Sequence, residues 1–192
     1  LRHQQETSLH YRPLINDTLD ALLTNHRMIF IPSEYCKSIN ISDKVNTSEA
    51  SIVSRILERI YQYYGVAFDA DTTVGVIVPY RNQIAMIRKK LEQLRIPQLL
   101  HISIDTVERY QGSQRDVIVY SFTVQNNYQL DFLTSNTFVE DGHIIDRKLN
   151  VALTRARKQM IMTGNAETLQ SNTVFRNLIE YVKSKGGYST ID

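Results

Sequence analysis

Cysteine is nearly absent from this chain of 192 residues: Cys36 stands alone. An internal disulfide and a cysteine-rich zinc site are thereby excluded, and a reducing compartment fits. No apolar run approaches the roughly 20 residues that a membrane-spanning helix needs, and no signal-peptide pattern is visible. The expected location is cytoplasmic, or nuclear in a eukaryote. A large excess of one charge is also missing. The formal charge of +2 neither demands nor excludes a nucleic-acid partner. There is no internal repeat and no low-complexity segment. Several chemistries lack their residues. No G-x-x-x-x-G-K-[ST] cradle for a triphosphate occurs, no acidic pair follows a strand to hold magnesium, and no trustworthy Ser–His–Asp set or metal cluster is present. His3, His10 and His26 do not recur at ligand spacing, so no metal site is expected.

What is present reads as alternating strands and helices. Met28 to Ile31 is an apolar run stopped by Pro32, and residues 1–27 before it read as an arm or linker. Asn46 and Glu49 have the spacing of a helix N-cap and its capping-box partner. Ile52, Val53, Ile56, Leu57, Ile60, Tyr61 and Tyr64 then repeat at helical spacing, and Gly65 can close the helix. Val74 to Val78 has the pattern of a strand buried on both faces. Ile84, Ile87, Leu91 and Leu94 continue as a helix. Strands are expected near 101–107, 117–122 and 159–163, and helices over 147–157 and 173–184, the last ended by Gly186-Gly187. Residues 123–145 read as a long polar loop rather than a strand-separating element. The boundaries expected are 1–27 for the arm, 28–186 for the main domain and 187–192 for a tail. The start at Leu1 reads as a fragment cut from something larger. The fold class is α/β, a mostly parallel sheet with helices on both faces.

In such sheets ligands bind beyond the carboxyl ends of the strands, and three segments are expected there. Val78-Pro79-Tyr80-Arg81-Asn82-Gln83 opens a helix after a buried strand. Its free backbone N–H groups and the Arg81, Asn82 and Gln83 side chains suit phosphate, and Tyr80 can stack on a base. Taken alone, it reads better as a Pro-initiated helix with an ordinary polar first turn. Thr106-Val107-Glu108-Arg109-Tyr110-Gln111-Gly112-Ser113-Gln114-Arg115-Asp116 follows. Gln111 and Gln114 can read polar edges of a nucleotide, Thr106 can donate to a phosphate oxygen, and Gly112 permits a tight turn or close approach. The third segment is residues 147–157. Leu149, Ala152, Leu153 and Ala156 give it an inward face. Arg155 and Arg157, two residues apart, leave a helix on opposite sides. One can reach a ligand as an arginine finger while the other ties the helix to its own domain. A solvated basic helix accounts for this stretch as well as a finger does. A phosphate-sensing arginine without a phosphate cradle points to half of a site.

The three segments, in this order and spacing, resemble the motifs of the second RecA-like domain of superfamily 1 helicases. The nearest type is that of the nonsense-mediated-decay and replication-fork helicases. Residues 76–83 resemble motif IV, residues 106–112 motif V, and Leu149-Asn150-Val151-Ala152-Leu153-Thr154-Arg155-Ala156-Arg157 motif VI almost letter for letter. Asn46 and Glu49-Ala50 fit the family's N-x-x-E-A. The resemblance implies a RecA-like three-layer sandwich lacking its own P-loop, and an ATP-dependent helicase or translocase as parent. It implies Arg155 as the finger, with Gln111, Gly112 and Gln114 lining the nucleotide cleft. Pro79, Tyr80, Gln83 and Thr106 fall on the family's strand grip, to which Arg81 and Asn82 add side-chain donors. ATP with Mg2+ would be held mainly by an N-terminal RecA-like domain of the same parent. The nucleic acid would be single-stranded, DNA taken ahead of RNA although no 2′-hydroxyl reader is identifiable. Two positions depart from the family: Val78 stands where Thr is usual, and Gln114 where Glu is usual. They lean slightly toward the alternative of a non-catalytic nucleic-acid-binding module, against which the intact motif VI argues.

Overall fold

The computed structural model describes residues 11–35, 44–110 and 114–191. Five strands form one parallel sheet in the order β1-β7-β4-β2-β3. They are β1 (Met28–Pro32), β2 (Val74–Val78), β3 (Ser103–Thr106), β4 (Arg115–Ser121) and β7 (Ala156–Gly164). Along each strand successive side chains face opposite ways, and the sequence uses the alternation to fill two cores. Val117, Val119, Val76 and Ile161 enter one core with helices α1 (Thr18–Asn25), α2 (Thr47–Tyr64) and α3 (Arg81–Leu94). Ile118, Tyr120, Ile77 and Met162 enter the other. That side is covered by α4 (Asn127–Leu133), α5 (Arg147–Arg155), α6 (Ala166–Leu169) and α7 (Thr173–Ser184). A two-stranded antiparallel hairpin, β5 (Thr137–Glu140) and β6 (His143–Asp146), precedes α5. The result is the three-layer α/β arrangement expected.

Several local expectations are revised. The helix expected over 147–157 ends at Arg155, and Ala156 already pairs with Arg115 as the start of β7. The ladder of a strand held between β1 and β4 outweighs the helical pattern of the two last residues. Residues 123–145 are not a loop but α4 and the hairpin. The strand expected from 101 begins at Ser103, because Pro97–His101 is a 3-10 turn.

The stretch 1–27 contributes α1, whose Leu19, Leu22 and Leu23 are buried in the first core. A buried ion pair explains its attachment. Arg59 on α2 reaches Asp20 at 2.5 Å and Asp17 at 2.8 Å, and the Tyr63 hydroxyl also donates to Asp20. The second Asp20 oxygen accepts the backbone N–H groups of Leu14, Ile15 and Asn16 at 2.6–2.9 Å. Burial alone would raise the Asp20 pKa. These donors outweigh it and hold the carboxyl well below the usual range. Gln159 then donates to the carbonyls of Leu23 and His26, tying the end of α1 to β7. At the other terminus, Gly187 accepts from the Phe30 N–H at 2.9 Å and Tyr188 stacks on the Phe30 ring.

Candidate functional site

The sequence-selected residues fall on two opposite edges of the sheet. Pro79–Gln83 and Thr106 lie at the carboxyl ends of β2 and β3. Gln114 and Arg155 lie at the amino ends of β4 and β7, not at carboxyl ends as expected. The cause is topological. The parallel strands β3 and β4 flank β2, so the segment leaving Thr106 must cross one face of the sheet to begin β4. Val107 and Tyr110 are the crossing residues, and both are buried in the second core. Gln111 and Gly112 lie outside the described residues.

At the amino edge α5 delivers Arg155 as its last residue, half-buried. A cation at a helix C-terminus is favoured by the helix dipole. Arg155 and Arg115 lie near the Tyr110 phenol. Burial raises that phenol's pKa, and the two guanidinium charges oppose the rise. Gln114, exposed, donates to the Thr154 carbonyl at 3.2 Å. Arg157, now on a strand, performs the tying role expected of it. It pairs with Asp116 at 2.9 Å and donates to the Thr72 carbonyl at 3.2 Å. Asp116 also takes Lys158 at 2.9 Å and the Tyr64 hydroxyl at 3.0 Å. The two arginines thus separate into one packed beside Tyr110 and one bound to the domain's own carboxylate.

At the carboxyl edge Tyr80 is the N-cap of α3, with no side-chain cap bond, and Arg81 and Asn82 are exposed behind it. Pro79 is buried and Thr106 is only 7% exposed. Gln83, expected on the strand-gripping surface, is fully buried and serves the fold. Its amide donates to the Asn46 carbonyl and accepts from the Asn46 N–H, both at 2.9 Å. The same amide nitrogen reaches the Ser121 hydroxyl at 3.3 Å. The helical spacing of Gln83 with Ile87 and Leu91, all buried, was the available signal that it faces inward.

Glu49 is the residue whose importance the sequence concealed. Asn46 does cap α2, accepting the Glu49 N–H at 2.9 Å. The Glu49 side chain does not complete a capping box. It is fully buried at the ends of β1 and β4, accepting from the Ser121 hydroxyl at 2.6 Å, the Thr123 N–H at 2.8 Å and the Ser33 hydroxyl at 3.4 Å. Burial raises its pKa to about 7, against the pull of these donors. Thr123, fully buried, is held at φ +60°, a conformation that costs a β-branched residue strain.

A second unforeseen feature adjoins this network. Phe132 of α4 stacks on Tyr80, with ring centroids 5.7 Å apart. Lys148 at the start of α5 lies 4.4 Å from the Phe132 centroid and pairs with Glu108 at 3.2 Å. Lys44 lies 5.9 Å from the Tyr80 centroid. A phosphate-suited helix start, stacked aromatic rings and flanking cations on one edge have the chemistry of a single-strand surface. The other edge offers cationic and amide groups to an anion.

Residues 4–167 match the AAA domain family. The chain belongs to that family, in its superfamily 1 helicase type. This AAA domain is 32% identical over 144 residues to "Regulator of nonsense transcripts 1" of Dictyostelium discoideum, covering 73% of this chain and 10% of the relative. It is 32% identical over 132 residues to "DNA polymerase alpha-associated DNA helicase A" of Saccharomyces cerevisiae, covering 68% and 17%. It is 28% identical over 184 residues to "DNA replication ATP-dependent helicase/nuclease JHS1" of Arabidopsis thaliana, covering 94% and 12%. The domain therefore spans less than a fifth of each of these relatives. Its sheet and layers are those of a RecA-like fold. Among the described residues no helix is long and apolar enough to cross a membrane.

Proposed function

We propose that this AAA domain is the C-terminal RecA-like half of an ATP-dependent helicase or translocase. It supplies Arg155 to the γ-phosphate of ATP bound on an N-terminal P-loop domain of the same parent. It holds single-stranded nucleic acid, DNA ahead of RNA, at the carboxyl edge through Tyr80, Arg81, Asn82 and Thr106. The observation that carries this reading is the separation of roles between the two arginines. Arg157, on β7, pairs with Asp116, and Arg155 is the last residue of α5, near Tyr110. A guanidinium placed there can stabilise charge that develops on a transferring phosphoryl group. Gln111, Gly112 and Gln114 would line the same cleft. Mg2+ would be held with ATP mainly by the N-terminal P-loop domain, and no step is assigned to it here.

The AAA domain alone should not turn over ATP. The test uses the full-length polypeptide: ATP hydrolysis with and without single-stranded DNA or RNA, comparing wild type with Arg155→Ala. Stimulated turnover lost in the variant, with ATP binding retained, supports the motor and the finger together. Turnover indifferent to Arg155 makes the helix structural. A second reading, a non-catalytic nucleic-acid-binding module, draws on Gln114, whose amide is bonded to the Thr154 carbonyl. Absence of turnover in wild type would favour it.

A further inference from the structure

We propose that the outward face of α4, Tyr128 and Phe132, joins Tyr80 in a base-stacking platform for single-stranded nucleic acid. This lengthens the grip beyond the α3 start and rests on the reading that the carboxyl edge holds a strand.

The sequence of α4 divides cleanly. Leu130 and Leu133 face inward and are buried, which suffices to dock the helix. Tyr128 and Phe132, four residues apart and so on one side of the helix, are 83% and 49% exposed. Tyr128 is the more open of the two, and Phe132 keeps half of its surface exposed while packing on Tyr80 and Lys148. Phe132 meets Tyr80, whose ring follows directly from the end of β2, so the aromatic face of α4 continues into the phosphate-suited start of α3. Lys44, exposed, lies near the Tyr80 ring, and Arg81, also exposed, follows Tyr80 directly; Lys148, beside Phe132, is buried and paired with Glu108. Aromatic faces interleaved with cations match a flexible strand, whose bases stack while its phosphates find counter-charges.

The platform is also built to be stiff. Tyr80 is fixed through Gln83, three residues on, which clamps Asn46 and touches Ser121. The chain that leads into α4 is fixed at the same place. Glu49 binds Ser121 and Thr123, the latter at φ +60°. Asn126 then caps α4 by accepting the Gln129 N–H at 2.9 Å, and Gln129 returns to accept the Gln125 N–H at 2.8 Å. Both rings therefore hang from one buried polar network. A surface whose support is already ordered loses little conformational freedom on binding.

The experiment measures binding of end-labelled oligothymidylate and oligouridylate, each of about 15 nucleotides, to the 192-residue chain by fluorescence anisotropy. Variants are Arg81→Ala, Tyr128→Ala, Phe132→Ala and Phe132→Trp. The chain has no tryptophan, so the last places a single reporter in the platform. Both alanine variants at α4 should weaken binding at least about fivefold while keeping the wild-type salt dependence, since stacking removes no phosphate contact. Arg81→Ala should weaken binding and flatten the salt dependence. Oligonucleotide should quench the Phe132→Trp emission at the concentrations that raise the anisotropy. Wild-type affinity in both α4 alanine variants, or binding without quenching, overturns the platform while a loss in Arg81→Ala leaves the edge reading standing. No binding by the wild-type chain to either polymer overturns both. Circular dichroism confirms that each variant is folded.

Discussion

The hydroxyl of Tyr110 fills the space that a side chain at position 75 would need. Gly75 lies in β2, and Tyr110 lies in the segment that crosses the sheet from β3 to β4. A bare backbone at this position of β2, an interior strand, is what lets that crossing stay close to the sheet. The same crossing then delivers Gln114 beside α5.

Gly75→Ala should therefore destabilise the domain by about 1–3 kcal/mol, the usual cost of forcing a methyl into a filled core. Among the described residues the Tyr110 hydroxyl has no hydrogen-bond partner, so Tyr110→Phe alone should be close to neutral. In the Gly75→Ala background it should recover part of the loss. Urea unfolding of the four proteins checks this, and an absence of any recovery would show that the ring rather than the hydroxyl sets the limit.

Glu49 makes stability depend on pH in an unusual direction. Its pKa is raised from 4.5 to about 7 in the folded chain. The folded state therefore binds the proton more tightly than the unfolded state. The domain should be favoured below about pH 4.5 at this residue, lose that advantage as the pH rises toward 7, and level off above. The gap corresponds to on the order of 3 kcal/mol. Glu49→Gln, which can still accept from Thr123, should flatten this part of the stability–pH curve and raise stability near pH 8. Unchanged slopes in the variant would mean that Glu49 is not the titrating group.

Arg59 holds a carboxylate that is itself buried. Arg59→Ala should cost about 3–5 kcal/mol, because Asp20 would keep its burial and lose its cation. Asp20 has the opposite linkage to Glu49. Its pKa is held below the ordinary value of 3.8, so its contribution is present above that pH and is lost as the pH falls further. Hydrogen exchange should show α1 opening first in Arg59→Ala. Uniform loss across the sheet instead would mean that α1 is not separately pinned.

Arg155→Lys distinguishes charge from geometry. If a planar fork is needed at the phosphate, lysine should not restore turnover, and both Arg155→Lys and Arg155→Ala should fall about a thousandfold or more in the full-length polypeptide. Oligonucleotide affinity should stay within about twofold of wild type, since the strand surface lies on the other edge. Recovery of turnover by lysine would assign the residue a point charge only.

Much of the fold was legible because apolar spacing reports burial directly. β2, α2 with its Asn46 cap, and α7 ending before Gly186 at φ +78° all followed from local pattern. The junction at Arg155 did not, since neither proline nor glycine separates helix from strand there and the strand is imposed by its neighbours. The edge on which Arg155 sits was equally hidden, being a property of sheet order. Gln83 and Glu49 were misread for a shared reason. Polar residues in a first helical turn usually meet solvent, and only their four-residue spacing to Ile87 and Val53 marked them as inward-facing. Phe132 could not be linked to Tyr80 without knowing that β2 and β4 are neighbours.

Helix α5 carries Lys148 against Phe132 in its first turn and ends with Arg155 near Tyr110. Its nine residues make a rod of about 13 Å with Leu149 and Ala152 seated on the sheet between those ends. On the proposed reading, this one short helix is the direct link between the strand edge and the phosphate edge of the domain.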